Sequence, residues 1–194
     1  MIARLADAQA AEKELFFAKL DIKEDGFWRM IVGDDDAWDF CYAIPNEDPN
    51  ASRDDIIIVV PNSLQMGWCE SPPFFCAASE TAQDVIQQLL EIEDLPPHPL
   101  EHYMLPDANA HLPKEALDLA NTLDLIEVFV DDFIGCTDNL TRSHLVKFTR
   151  AMMHCIHSIY PPPSVTGHTG GDPISEKKLK QLEGLWEHVK EILG

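Results

Sequence analysis

The stretch Leu125–Gly135, LIEVFVDDFIG, constrains this chain more than any other. Five of the six residues from Leu125 to Val130 are apolar, two aspartates follow, and Phe133-Ile134 resumes the apolar run. That order predicts a buried strand, a tight turn carrying Asp131 and Asp132, and a returning strand. Adjacent carboxylates between apolar strands repel each other, and burying them costs free energy unless a cation sits there. Oxygen ligands of this kind suit Mg²⁺. A solvated Asp-Asp turn fits the same residues, since Asp is a common turn former, so both readings stand at this point.

A chain of 194 residues is long enough to bury a real core as one domain with appendages. No apolar run approaches the roughly 20 residues that span a bilayer, and the first residues carry no signal-peptide core. Five cysteines without C-x-x-C spacing read as reduced, buried thiols. The expected setting is intracellular. Charge is the awkward datum: 14 basic against 34 acidic residues give −20. A free-standing nucleic-acid binder shows a basic footprint, so any such function here needs positive surface from elsewhere.

Ahead of the Asp-Asp stretch, residues 1–14 read as a helical lead-in. Leu15–Ile22 reads as a strand ending on Asp21, broken by Lys23–Gly26. Asp34–Asp36 reads as a solvated turn. Trp38–Ile44 and Ile56–Val60 read as an antiparallel strand pair joined by the polar loop Asn46–Asp55. Ser71-Pro72 marks a helix start, with Phe75, Ser79, Ala82 and Ile86 on one face to about Ile92. Residues 91–124 form a Pro- and His-rich acidic insertion, whose last part, Pro113–Leu123, reads as a short helix. His98 and His102 have a spacing seen in zinc sites but no flanking cysteine pair, and are read as metal-free. Thr141–Ile159 reads as an amphipathic helix in which His154 and His157 are structural. A Pro/Gly/Ser/Thr linker over 161–174 leads to a last helix over 175–194 with Lys177, Lys178 and Lys180 at its start.

The expected fold class is therefore α+β: an antiparallel sheet with packed helices, close to a split βαβ or ferredoxin-like arrangement. Such a sheet can bring Asp21 and Asp131, 110 positions apart, to neighbouring strand ends. Three carboxylates there could hold two Mg²⁺ ions about 3.5–4 Å apart, the spacing of two-metal phosphoryl transfer.

Three motifs appear in order. Phe17-Ala18-Lys19-Leu20-Asp21-Ile22 is followed by Gly26-Phe27. Leu64-Gln65-Met66-Gly67-Trp68 is followed by Ser71-Pro72 and Phe75. Phe129-Val130-Asp131-Asp132 is the third. Together, over about residues 15–160, they resemble the palm of reverse transcriptases, particularly of gypsy-type and related retrotransposon polyproteins. The resemblance implies RNA- or DNA-templated DNA synthesis with Asp21, Asp131 and Asp132 as catalytic metal carboxylates. It implies two Mg²⁺ ions (Mn²⁺ as a substitute) and the Ile22 carbonyl as a further ligand. Phe27 would exclude a 2′-hydroxyl, while Met66, Gly67, Trp68, Ser71 and Phe129 would contact template or nucleotide. Implied partners are a template-primer, deoxynucleoside triphosphates, and fingers, thumb, RNase H and integrase segments of the polyprotein, with no membrane. The step from Asp21 to Phe27 is one residue longer than the family's usual step, and Met66 stands where many relatives have Gln or Phe. A contrasting expectation is a degenerate or domesticated remnant that acts only as a protein-interaction domain, which the acidity favours and the intact Asp triplet opposes. An unrelated acidic metal-binding domain is opposed by the Gly-Trp and Ser-Pro pairs.

Overall fold

The structure is a computed structural model and describes residues 12–23, 26–52, 54–92, 94–103, 122–161, 171–179 and 185–188. The lead-in before residue 12 and most of the Pro113–Leu123 stretch lie outside them. The chain is α+β. Strands β1 (Phe16–Asp21), β4 (Asp124–Phe129) and β5 (Asp132–Thr137) form one sheet in the order β1-β5-β4, with both pairings antiparallel. Strands β2 (Tyr42–Pro45) and β3 (Ile56–Val59) form a separate antiparallel ribbon.

Residues alternate across β1: Phe16, Ala18 and Leu20 are buried, while Phe17, Lys19 and Asp21 are half-buried on the other face. Two helices cover the buried face. Helix α2 (Ser71–Leu89) has prolines in its first turn, where their missing N–H costs nothing, and buries Ser71, Phe75, Ser79, Ala82 and Ile86 at helical spacing. Helix α3 (Arg142–Ile159) is capped by Thr141, whose hydroxyl accepts the His144 N–H, and buries Leu145, Phe148, Met152 and Ile156. The helices meet where the Ser79 hydroxyl lies 3.1 Å from the fully buried Tyr160 hydroxyl. Burial pushes that phenol up to about 12. Gly135 on β5 lets Phe148, Met152 and Trp186 close onto the sheet, since a Cβ there would meet Trp186 at 3.2 Å and Met152 at 3.3 Å.

Three segments depart from the sequence expectation. Asp34–Ala37 is a short helix, α1, not a turn, and runs into a 3₁₀ turn over Trp38–Phe40, so the strand expected from Trp38 begins only at Tyr42. Three aspartates in a helical first turn complement its dipole, and burial of Ala37 and Phe40, with Phe40 edge-on to Trp68 at 5.5 Å, winds the segment inward. The expected last helix is confined among the described residues to α4 (Glu176–Leu179). Leu185–His188 is not helical: Glu187 bridges Phe17 on the edge of β1, and Trp186 is buried with its indole N–H donated to Thr149 at 2.9 Å. Gly184, a poor helix-interior residue, immediately precedes that segment. The expected linker also does not stand free. Pro173 and Ile174 are buried, and Ile174 bridges Ile22.

Candidate active site

The turn between β4 and β5 is Val130-Asp131, and Asp132 is already the first residue of β5. Val130 has φ of +58°, a region that a β-branched residue enters only under strain and that gathers at functional sites. The β1–β5 register sets Asp21 directly opposite Asp132. The Ile22 N–H donates to the Asp131 carbonyl at 3.1 Å, tying the end of β1 to the turn. Directly opposed residues in antiparallel strands share a face, so Asp21, Asp132, Lys19 and Phe129 lie on the sheet face away from α2 and α3. Phe129 is 58% exposed beside Asp132. The sheet thus brings the three sequence-predicted aspartates to one end.

Two lysines meet them there. The Lys178 ammonium, on α4, donates to Asp21 Oδ1 at 2.5 Å, and Lys19 pairs with Asp132 Oδ2 at 2.7 Å. Burial raises the Asp21 carboxyl above its usual range and the charges of Asp131 and Asp132 add to the rise, while Lys178 opposes it. The hydrogen bond to Asp21 raises Lys178 in turn. Backbone bonds hold α4 in place: Ser175 N–H donates to the Asp21 carbonyl at 3.1 Å, and Lys23 N–H to the Pro173 carbonyl at 2.8 Å. The buried Arg29 guanidinium donates to the Gly171 carbonyl at 2.6 Å and the Pro161 carbonyl at 3.3 Å, anchoring the start of the same segment.

Three carboxylates and the Ile22 carbonyl are an all-oxygen donor set, which suits a hard divalent ion, and the Lys178 ammonium is a stand-in cation on Asp21. In this arrangement Asp21 is turned to Lys178 and Asp132 to Lys19. Among the described residues no three His, Cys, Asp or Glu side chains are gathered closely enough to hold a metal ion.

The other predicted residues are dispersed. The Ile22 side chain is buried, so only its backbone is offered to the site. Phe27 begins a 3₁₀ turn and stacks on Phe75 at 4.3 Å and 13°. Met66 is 59% exposed, and Gly67 has φ of +99° with nothing within 4 Å of where a Cβ would stand, an open backbone that a ligand can approach. Trp68 is half-buried. Ser71 is fully buried at the start of α2, and its Oγ has no partner among the described residues.

Sequence reasoning missed both lysines. Lys19 carried a signal, because alternation puts it on the face of Asp21. Lys178 carried none, being 157 positions from its partner.

The histidines form a second polar cluster. His98 Nε2 and His157 Nδ1 are 3.0 Å apart, and His157 Nε2 is 2.9 Å from Asp172 Oδ1. The Leu100 N–H donates to His98 Nδ1 at 3.2 Å, so that nitrogen carries no proton. His98 is therefore neutral and donates from Nε2 to His157, which donates in turn to Asp172. His98 and His102 do not share a ligand position: His102 Nδ1 lies 2.7 Å from the Pro99 carbonyl instead.

No protein-family model and no curated protein matches the chain.

Proposed function

We propose that the chain is the catalytic palm of a reverse-transcriptase-like polymerase, one part of a gypsy-type or related retrotransposon polyprotein. It would add deoxynucleotides to a primer 3′-hydroxyl on an RNA or DNA template. One observation carries the reading: Asp21 sits opposite Asp132, beside a strained Val130-Asp131 turn, on the sheet face away from α2 and α3. The strand order adds support. Strands β1 and β4 run parallel on either side of β5 with α2 between them in sequence, the connectivity of a split βαβ palm.

Asp21, Asp131, Asp132 and the Ile22 carbonyl would hold Mg²⁺, or Mn²⁺ in its place. When bound, the two ions supply activation of the 3′-hydroxyl and neutralise charge on the phosphate and leaving oxygens. The protein's own part is positioning. Phe27, held flat on Phe75, would pack under the sugar. Gly67 leaves its backbone open to template or nucleotide, with Met66 and Trp68 beside it. The exposed Phe129 ring flanks the carboxylates. Ser71 would act from beneath, by setting the first turn of α2. The test is incorporation of labelled deoxynucleotides on a primed template by the chain joined to fingers and thumb segments, with Asp131→Asn as blank. Extension that persists in the blank refutes the reading.

A different observation favours a second reading, a protein-interaction domain. Strands β2 and β3 leave Tyr42, Ile44, Ile56, Ile57 and Ile58 exposed, an apolar surface of the kind that marks a contact with another protein. The ribbon serves either reading, since a palm in a polyprotein also has neighbours to pack against. Loss of extension in Asp131→Asn separates the two, because an interaction domain has no use for that carboxylate.

A further inference from the structure

Away from the carboxylates, α3 forms one wall of a cleft of about 440 Å³ lined by Asp94, Leu95, Arg142, Ser143, Val146, Lys147 and Arg150. We propose that this cleft binds a phosphate group, through Arg142 and Lys147. The inference is independent of the polymerase reading. The first turn of α3 follows the Thr137 end of β5, the opposite end of that strand from Asp132.

The argument begins with scarcity. The chain has 14 lysines and arginines against 34 acids, yet three of those cations line this one cleft. Helical spacing explains how they converge: Arg142, Val146 and Arg150 fall four apart on one stripe of α3, with Ser143 and Lys147 on the next. Arg150 has a structural task. Its guanidinium grips Glu101 through Nε at 2.6 Å and through a terminal nitrogen at 2.9 Å, and donates to the Leu95 carbonyl at 3.0 Å. That fork holds the opposite wall against the helix, and Arg150 in turn holds Glu101 down to about 2.

Arg142 and Lys147 are left over. Neither has an ion-pair or hydrogen-bond partner among the described residues, in a protein where acids outnumber bases more than twofold. Asp94, exposed at the rim, is the only acid of the lining. Two like charges facing a concave surface repel each other, and the low-dielectric walls focus their field, so an anion there is stabilised. Phosphate suits the geometry because its several oxygens accept from a guanidinium fork and an ammonium together. A free phosphate ion and a nucleic-acid backbone offer the same oxygens, and the experiment separates the two.

The test is a low-salt NMR titration of the full chain with inorganic phosphate, with a short thymidylate single strand, and with chloride at matched ionic strength. The expected result is saturable shifts confined to amides of residues 142–147 and 94–95, produced by phosphate, by the strand or by both, and not by chloride. Stronger binding of the strand assigns the backbone as the source, and equal or stronger binding of inorganic phosphate assigns the free ion. Arg142→Gln with Lys147→Gln should weaken the binding at least about tenfold, the scale of losing two charge-assisted hydrogen bonds. The charge-keeping Arg142→Lys with Lys147→Arg should retain it, which rules out a folding defect as the cause. Shifts equal to those of chloride, or equal in the wild type and the Gln variant, overturn the proposal.

Discussion

At the residue scale, Lys178 answers the electrostatic problem that Asp21, Asp131 and Asp132 create. Its ammonium lies on Asp21 at 2.5 Å while burial and the neighbouring aspartates push that carboxyl up. A divalent ion must therefore displace a lysine that is already paired. Lys178→Ala is expected to bind Mn²⁺ more tightly than the wild type, by several-fold, as read by calorimetry; unchanged or weaker binding would show that the pair does not compete. Gly26 makes a separate residue-scale prediction. A Cβ there would stand 2.7 Å from Ile22 Cγ2 and 3.2 Å from the Lys23 carbonyl oxygen, so Gly26→Ala is expected to cost about 1–3 kcal/mol of stability, as overpacking does. Chemical denaturation measures it, and a neutral result would mean that the turn relaxes freely. The aspartates were legible in the sequence because acids interrupting apolar strands stand out. Lys178 was not, because a lysine at the start of an expected helix gives no hint of a partner in β1.

At the element scale, periodicity served the long elements well. The buried face of α2 is the one its spacing predicts, and Thr141 caps α3 as its chemistry suggests. Short segments were less legible, since packing outweighs local pattern there. Trp38–Phe40 alternates like a strand yet coils because Ala37 and Phe40 bury together, and Leu185–His188 is drawn straight by Trp186 and the Glu187 bridge. The His98–His157–Asp172 chain, which ties the 94–103 segment through α3 to the strap leading to Lys178, came from three distant stretches and had no sequence signature. It makes a pH prediction. Burial first, with the nearby His157 and His154 adding to it against the opposing charges of Asp172 and Glu101, lowers His98 to about 4. The unfolded residue takes up a proton near its ordinary 6.5, so the unfolded state binds more protons between those limits. Stability is then fully present above about 6.5 and falls as pH drops toward 4, by up to about 3 kcal/mol. Urea unfolding across that range should show a steeper decline for the wild type than for His98→Asn. Parallel curves would mean that His98 titrates alike in both states.

At the scale of the whole molecule, charge and exposed apolar surface decide how the chain behaves alone. A net charge of −20 repels a polyanionic duplex, most strongly at low salt. The isolated chain is accordingly expected not to extend a primer at a useful rate, and robust extension that Asp131→Asn abolishes would make it a minimal polymerase instead. Among the described residues no helix is long and apolar enough to cross a membrane. The α+β class and the meeting of Asp21 with the Asp-Asp turn were readable from the order of elements. The separation of β2 and β3 into their own ribbon was not, because the pattern of a strand pair does not say which sheet it joins.

The carboxylate cluster is the centre of the functional reading, and paramagnetic broadening tests it without requiring activity. Mn²⁺ titrated into the labelled chain should broaden amides of Asp21–Lys23 and Phe129–Phe133 first, and Asp131→Asn should largely remove that effect. Broadening that appears first over the acidic stretches at 34–39 and 46–55, and is the same in both proteins, would contradict it.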